Sequence, residues 1–145
     1  MNGEVPNSSG RPVLAVLPFV VAQKDGETSL ISGGIHEDIC GELTRFRSFQ
    51  VISPASTSVV ADLPDEAIGT RLGASHVLRG RVWRLGSHLH LKATLCATRT
   101  ASQLWSERFE IVPDDVIALE DALVAWAGAR FLETASSATF PRNGE

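Results

Sequence analysis

Residues 75–98, SHVLRGRVWRLGSHLHLKATLCAT, alternate between apolar and polar side chains on both sides of the pair Gly86-Ser87. A period of two is typical of strands that bury one face, and a Gly-Ser pair suits a tight turn between antiparallel strands. The stretch therefore predicts a β-hairpin. Alternate residues of a strand share one face and are here called a parity. The apolar parity comprises Leu78, Gly80, Val82, Leu89, Leu91, Ala93 and Leu95. We expect this parity to build the core and the opposite parity to face solvent.

The polar parity of the predicted hairpin is basic and includes one large aromatic ring. Its candidate contact residues are Arg79, Arg81, Trp83, His90 and Lys92. Like charges opposite one another on a sheet are mildly destabilising, so a bound anion or partner would relieve them, as would water and salt.

Three interpretations of this basic face stay open. It is a solvated or protein-binding face, a nucleic-acid surface on which Trp83 stacks with bases, or a metal site. A metal site would need His76, His88 and His90 to converge. The first interpretation is favoured, because one aromatic ring and two neighbouring histidines are few for the other two. We expect no metal and no cofactor.

Upstream of the hairpin, the chain predicts a strand, a helix and a strand with short joins. Residues 13–19, VLAVLPF, form a nearly continuous apolar run of the kind found in buried strands, which Pro18 stops, and FQVIS at 49–53 predicts a second strand. Between them, helical spacing is shown by Ile31, Ile35, Ile39, Leu43 and Phe46. Ser29 or Ser32 is the expected N-cap. Such a βαβ unit requires parallel strands and a right-handed crossover.

The remaining segments complete an α/β sandwich. Residues 54–63 are rich in Ser, Thr and Pro and predict a loop, whereas 65–73 predict a short helix that ends at Gly73. Residues 103–111 predict another strand, and Pro113 opens a last helix. The expected order is β-α-β-α-β-β-β-α, with a mixed sheet of about five strands and helices packed on it.

Length and composition indicate a single folded unit between two tails. With 145 residues and 43% apolar composition, the chain can bury a core without disulfides. Gly, Ser, Asn, Thr and Pro predict tails or linkers at 1–11 and 134–145, which leaves 12–133 as the domain. No apolar run of membrane-spanning length and no secretory signal is present, and the two cysteines lie far apart. These features favour the cytoplasm, and the periplasm stays open as the alternative if the domain belongs to a membrane-anchored regulator.

Charge is distributed unevenly along the chain. The formal net charge is −4, which gives no general attraction to nucleic acid. Between residues 76 and 109, however, six basic residues stand against one acidic residue. The predicted hairpin is therefore a basic patch on an acidic protein.

No segment carries a complete catalytic motif. Ser32-Gly33-Gly34, expected at the head of the first helix, could offer backbone amides to an anion but lacks the spacing of a phosphate-binding loop. Cys40 follows His36 at helical i,i+4 spacing, which predicts a packing contact more than a catalytic dyad. We expect a protein that is not an enzyme.

Several segments, taken in order, resemble the TolB amino-terminal-like domain of bacterial regulators. They are VLAVLPF, GGIHEDICGELTRFRSFQVIS, LGASHVLRGRVWRLGSHLHLKATL and LWSERFE, and the resemblance extends over residues 12–131. The resemblance implies a non-catalytic α/β module found beside tetratricopeptide repeats, cyclase domains or winged-helix DNA-binding domains. Our leading hypothesis is accordingly a regulatory, protein-interaction domain of a bacterial signalling or transcriptional regulator. The alternative is a sensor that binds a small anion or nucleic acid on the basic hairpin face.

Overall fold

The computed structural model describes residues 11–22, 25–111 and 113–139. The tail predicted at 1–11, apart from Arg11, and the part of the C-terminal tail at 140–145 lie outside the described residues. Within them, the expected α/β class is confirmed: helices pack on one mixed sheet.

Within these described ranges, the sheet has six strands, one more than the approximately five expected. They are β1 (Val13–Val16), β2 (Val20–Val21), β3 (Gln50–Val51), β4 (His76–Leu85), β5 (His88–Ala97) and β6 (Ser102–Ile111). The order is β3-β1-β4-β5-β6, and β2 also pairs with β4. β1 is parallel to β3 and β4, whereas β4, β5 and β6 are successively antiparallel. The βαβ unit and the hairpin are therefore both confirmed.

The extra strand arises after the first apolar run. Pro18, which was expected to stop this run, has no N–H to donate to the ladder, and β1 ends at Val16. The chain then returns to the side of β4, where Val20 lies opposite Arg81.

Four helices pack on the sheet: α1 (Gly26–Leu43), α2 (Pro54–Val59), α3 (Asp65–Leu72) and α4 (Val116–Thr139), the last preceded by a 3₁₀ turn at Pro113–Asp115. α3 ends as predicted, because Gly73 adopts the left-handed conformation with φ of 69°. Gly86 has φ of 61° in the hairpin turn.

The start of the first helix and the loop at 54–63 were predicted wrongly, and the last helix extends beyond the predicted domain. α1 begins earlier than expected, and its N-cap is Asp25, whose side chain accepts a hydrogen bond from the Glu27 N–H, and neither Ser29 nor Ser32. The loop predicted at 54–63 contains α2, which Ser53 caps and Pro54 opens. α4 continues past residue 133 to Thr139, into the predicted C-terminal tail.

The core is divided by the sheet into two clusters. The larger lies under α1 and α4 and includes Leu14, Leu78, Leu91, Ile39 and Leu123. The smaller lies under α2 and α3 and includes Ala15, Val77, Ile68 and Cys96. The hairpin's polar parity was expected to face solvent throughout, but its Val77 and Cys96 end is buried by these two short helices.

Beyond α2 and α3, the rest of that second face has no helix over it in the described part of the chain. We call this surface the open sheet face. It is formed by Val20, Arg79, Arg81, Trp83, His90, Lys92, Thr94, Ser106, Arg108 and Glu110.

Candidate functional site

A row of three cations crosses the open sheet face, one from each of three neighbouring strands. Arg81 in β4 lies directly opposite Lys92 in β5, and Lys92 lies directly opposite Arg108 in β6. Adjacent strands are about 4.8 Å apart, so the three side chains begin within about 10 Å of one another. All three residues are exposed. In the part of the chain that the structure describes, neither Arg81 nor Lys92 forms an ion pair with a carboxylate. Among the described residues, the charges of Arg81 and Lys92 are therefore not compensated by an ion pair.

The next row joins two aromatic rings and a carboxylate. Trp83 lies opposite His90, and their rings are stacked with centroids 5.4 Å apart at 11°. The Arg108 guanidinium carbon is 5.7 Å from the Trp83 ring centroid, within the range of a cation–π contact. His90 lies opposite Glu110. The Glu110 carboxylate also accepts a hydrogen bond from His88 Nδ1, at 2.5 Å. That hydrogen bond from His88 holds the pKa of Glu110 below its usual value.

Arg79 is already occupied by a partner within the fold. Its Nε donates to Asp65 Oδ1 at 2.7 Å, and a terminal nitrogen donates to the Leu63 carbonyl oxygen at 3.2 Å. Asp65 belongs to the first turn of α3. Of the residues predicted to form an anion site, Arg79 therefore tethers α3 to β4, and its charge is largely neutralised.

A shallow depression accompanies the cation row. Its volume is ≈ 340 Å³, and its walls are Pro18, Val20, Arg79, Gly80, Arg81, Lys92 and Thr94. Val20 is 63% exposed. The open sheet face thus combines cationic side chains with an accessible aliphatic surface, a mixture that suits contact with another macromolecule.

The structure brings four of the five predicted residues together and adds two that the sequence reasoning missed. Arg81 and Lys92 join in the cation row, while Trp83 and His90 form the adjacent stack. Arg108 and Glu110 complete these rows from β6. Period-two alternation in β6 could have placed the pair on one face, but only the register with β5 puts Arg108 beside Lys92.

The three histidines considered for a metal do not converge. His76 lies 4.8 Å from Phe131 by ring centroids and hence on the face that α4 covers, whereas His90 lies on the open sheet face. Burial lowers the pKa of His76 to about 4, so this imidazole is neutral near pH 7. Within the described residues, no group of three or more His, Cys, Asp or Glu side chains could hold a metal ion.

The other chemical candidates are packing features of α1. His36 Nε2 donates to the Val16 carbonyl oxygen at 2.8 Å and lies 3.8 Å from Cys40 Sγ, so the predicted contact is present. Burial, with a smaller effect of Glu37, raises the pKa of Cys40 to about 11, which keeps it a thiol and a poor nucleophile. Ser32-Gly33-Gly34 lies in the interior of α1, not at its head as expected, so its amides belong to the helix ladder.

Comparison with known families shows which family the domain belongs to. The family model for the second domain of HilA/YgeH-like transcriptional regulators matches residues 9–126. The chain belongs to this HilA/YgeH-like family. The match includes all six strands and α1 to α3, and it ends within α4.

A cyclase-named protein is similar to the HilA/YgeH-like domain in sequence, and solved structures that include TolB share its fold. It is 30% identical over 118 residues to a Rhizobium meliloti (strain 1021) protein named "Putative adenylate cyclase 3", covering 80% of this chain and 20% of that protein. The chain thus spans about a fifth of this relative. Lipoprotein GNA1162 from Neisseria meningitidis superposes with a TM-score of 0.60 at 16% identity, over 81% of this chain and 99% of that one. TolB from Acinetobacter baumannii superposes with a TM-score of 0.54 at 14% identity, over 82% of this chain and 28% of that one.

These likenesses confirm the fold implied by the TolB resemblance, whereas the family that matches by sequence is the HilA/YgeH-like one. Among the described residues of this domain, no helix is both long and apolar enough to cross a membrane.

Proposed function

We propose that this HilA/YgeH-like domain is a non-catalytic regulatory module of a bacterial, cytoplasmic regulator, and that it acts by protein contact through the open sheet face. Family membership supports the regulatory role. The observation that carries the contact surface is the row Arg81, Lys92 and Arg108, which places three like charges side by side at a cost to folding. A bound acidic surface would convert that cost into an attraction.

Partners within the same polypeptide fit this role. The chain covers 20% of its cyclase-named relative, so a domain of this kind occurs inside a much longer protein. We infer that the partners are other domains of the parent regulator, such as tetratricopeptide repeats, a DNA-binding domain or a cyclase domain. The domain would then transmit regulation by holding or releasing its neighbours.

The test is calorimetric titration of the 145-residue chain with the remaining domains of its parent polypeptide. Replacing two cations of the row, Arg81→Ala with Lys92→Ala, should weaken binding about tenfold or more, because charge pairs at an interface contribute more than about 1.4 kcal/mol when desolvated. The matched control is Arg71→Ala with Arg99→Ala, which removes two exposed arginines elsewhere. Equal affinity for both double variants would contradict the proposal.

A second candidate function is binding of nucleic acid or another polyanion on the same face. It is favoured by Trp83, an aromatic ring beside three cations. Its weakness is that His90 already stacks on that ring and Arg108 lies over it, which leaves little free surface for a base. Titration of a labelled single-stranded oligonucleotide at several salt concentrations discriminates the two. Nucleic-acid binding predicts an affinity that falls steeply with salt and is lost in the Arg81→Ala, Lys92→Ala protein.

A further inference from the structure

An acidic groove lies between α1 and α4, on the opposite side of the sheet from the cation row. It has a volume of ≈ 480 Å³, and its walls are Glu37, Asp38, Gly41, Glu42, Ile117, Glu120 and Asp121. α1 and α4 both pack on the larger core cluster, under the face away from the open sheet face. One molecule therefore presents a basic surface on one side and an acidic surface on the other.

The carboxyl groups of this groove repel one another. The pKa of Glu120 is raised to about 7 by burial, by a hydrogen bond with Asp38 and by the charges of Asp38, Asp121 and Glu42. Positive groups that approach the groove would favour ionised carboxylates and relieve that repulsion. Of these carboxylates, Glu42 is already paired with Arg45 at 2.9 Å. For the others the cation row could supply positive charge, and the groove could supply negative charge to the row.

Each surface also exposes an aliphatic side chain beside its charges. Ile117 is 71% exposed at the groove, and Val20 is 63% exposed at the depression next to Arg81 and Lys92. If an open sheet face met an acidic groove, the two aliphatic side chains would be removed from water, and opposite charges would pair around them.

We propose that the open sheet face of one copy of this chain binds the acidic groove of a second copy. The inference rests on the proposed function of that face as a protein-contact surface, and it adds a second copy of this chain to the partners proposed for it. The two surfaces lie on opposite sides of the sheet, so they cannot meet within one molecule. The contact is heterologous, head to tail, and each added copy leaves one free surface of either kind at the ends.

Sedimentation velocity of the 145-residue chain over a concentration series at low ionic strength tests this arrangement. The sheet variant carries Arg81→Ala and Lys92→Ala, and the groove variant carries Glu37→Lys and Asp121→Lys. All four residues are exposed, so both variants are expected to fold, which circular dichroism and the thermal midpoint will check. The control again carries Arg71→Ala and Arg99→Ala.

The expected result has three parts. The wild type and the control grow beyond a dimer as concentration rises, and added salt reverses this growth. Each variant alone stays monomeric. An equimolar mixture of the two stops at a dimer, because only the intact sheet face of the groove variant and the intact groove of the sheet variant remain to pair.

A wild type that stays monomeric at every concentration would overturn the proposal, and so would a mixture that stays monomeric. A closed dimer insensitive to both variants would also overturn it. If copies do not associate but the sheet variant still loses binding to the other regulator domains, only the proposal of self-association fails and the proposed function stands. If the sheet variant retains that binding as well, both proposals fail.

Discussion

The ring of Phe19 occupies the space in which a side chain on Gly80 would stand. A Cβ added at Gly80 would lie 2.5 Å from Phe19 Cδ1, and the ring itself is 8% exposed within the larger core cluster. Phe19 follows Pro18, where β1 has ended, so the same residue that breaks the first strand brings the ring over β4. A glycine at position 80 is thus explained by close packing.

Replacement of Gly80 by alanine should destabilise the fold. The Phe19 ring would have to shift within a packed core, which costs about 1–3 kcal/mol. Urea denaturation measures the change in the free energy of unfolding. Gly33→Ala is the matched control: Gly33 is exposed inside α1 with nothing within 4 Å of an added Cβ, so alanine there should stabilise the helix by up to about 1 kcal/mol. A neutral Gly80→Ala would contradict this packing.

Loss of the Asp25 carboxylate should weaken the start of α1. Asp25 accepts hydrogen bonds from the Glu27 N–H at 3.1 Å and the Thr28 hydroxyl at 2.7 Å, and it pairs with Arg84 Nε at 3.2 Å. Asp25→Ala should therefore lower the thermal midpoint by about 3 °C. Ser29→Ala, at the N-cap expected from sequence, should leave the midpoint unchanged or slightly raised, because Ser29 is exposed inside the helix.

Reversal of the central charge of the cation row should stabilise the isolated protein. Lys92→Glu places a carboxylate between Arg81 and Arg108, so two repulsive pairs become attractive and the free energy of unfolding rises by about 0.5 kcal/mol. Lys92→Gln should give a smaller gain, and high salt should shrink both. A loss of stability in Lys92→Glu would mean that the three charges do not repel one another. If Lys92→Glu raises stability and abolishes partner binding, the cation row lowers the stability of the fold because binding requires it.

Acidification should destabilise the fold through His76. Its folded pKa is lowered to about 4 from 6.5, so below pH 6.5 the unfolded chain binds a proton that the folded chain does not. Stability from the neutral ring is present above pH 6.5 and falls by about 2 kcal/mol between pH 7 and pH 5. Glu120, with a raised pKa, acts in the opposite direction in the same window, but equally in wild type and variants.

His76→Gln should therefore lose less stability than the wild type between these two pH values, whatever its stability at pH 7. The measurement is the urea midpoint and slope at each pH. Parallel pH dependence of the two proteins would contradict the assignment to His76.

Much of the fold follows from local pattern. The alternation of residues 75–98 predicted β4, β5 and their turn, and the spacing of Ile35, Ile39 and Leu43 predicted α1. α2 was missed because Ser, Thr and Pro are as common in loops as in a helix's first turn, and only the cap geometry at Ser53 distinguishes them.

The sequence predicted only part of the candidate site. The residues of one strand face are visible from parity alone, so Arg81, Trp83, His90 and Lys92 were found. Parity does not show which residues of other elements contact this face. Asp65, fourteen positions before Arg79, neutralises that arginine. Arg108 comes from β6.

By itself, the sequence determined the alternation of apolar and polar side chains along β4 and β5 and the apolar stripe of α1, because these patterns depend on the local period and on hydrophobicity. Only the tertiary structure decided which charges become neighbours. The register of β6 on β5, with its irregularity between Leu95 and Cys96, aligns Arg81, Lys92 and Arg108 into one row. The packing of α4 beside α1 likewise brings Glu120 to Asp38, residues far apart in the chain whose interaction exists only when both helices cover the same face of the sheet.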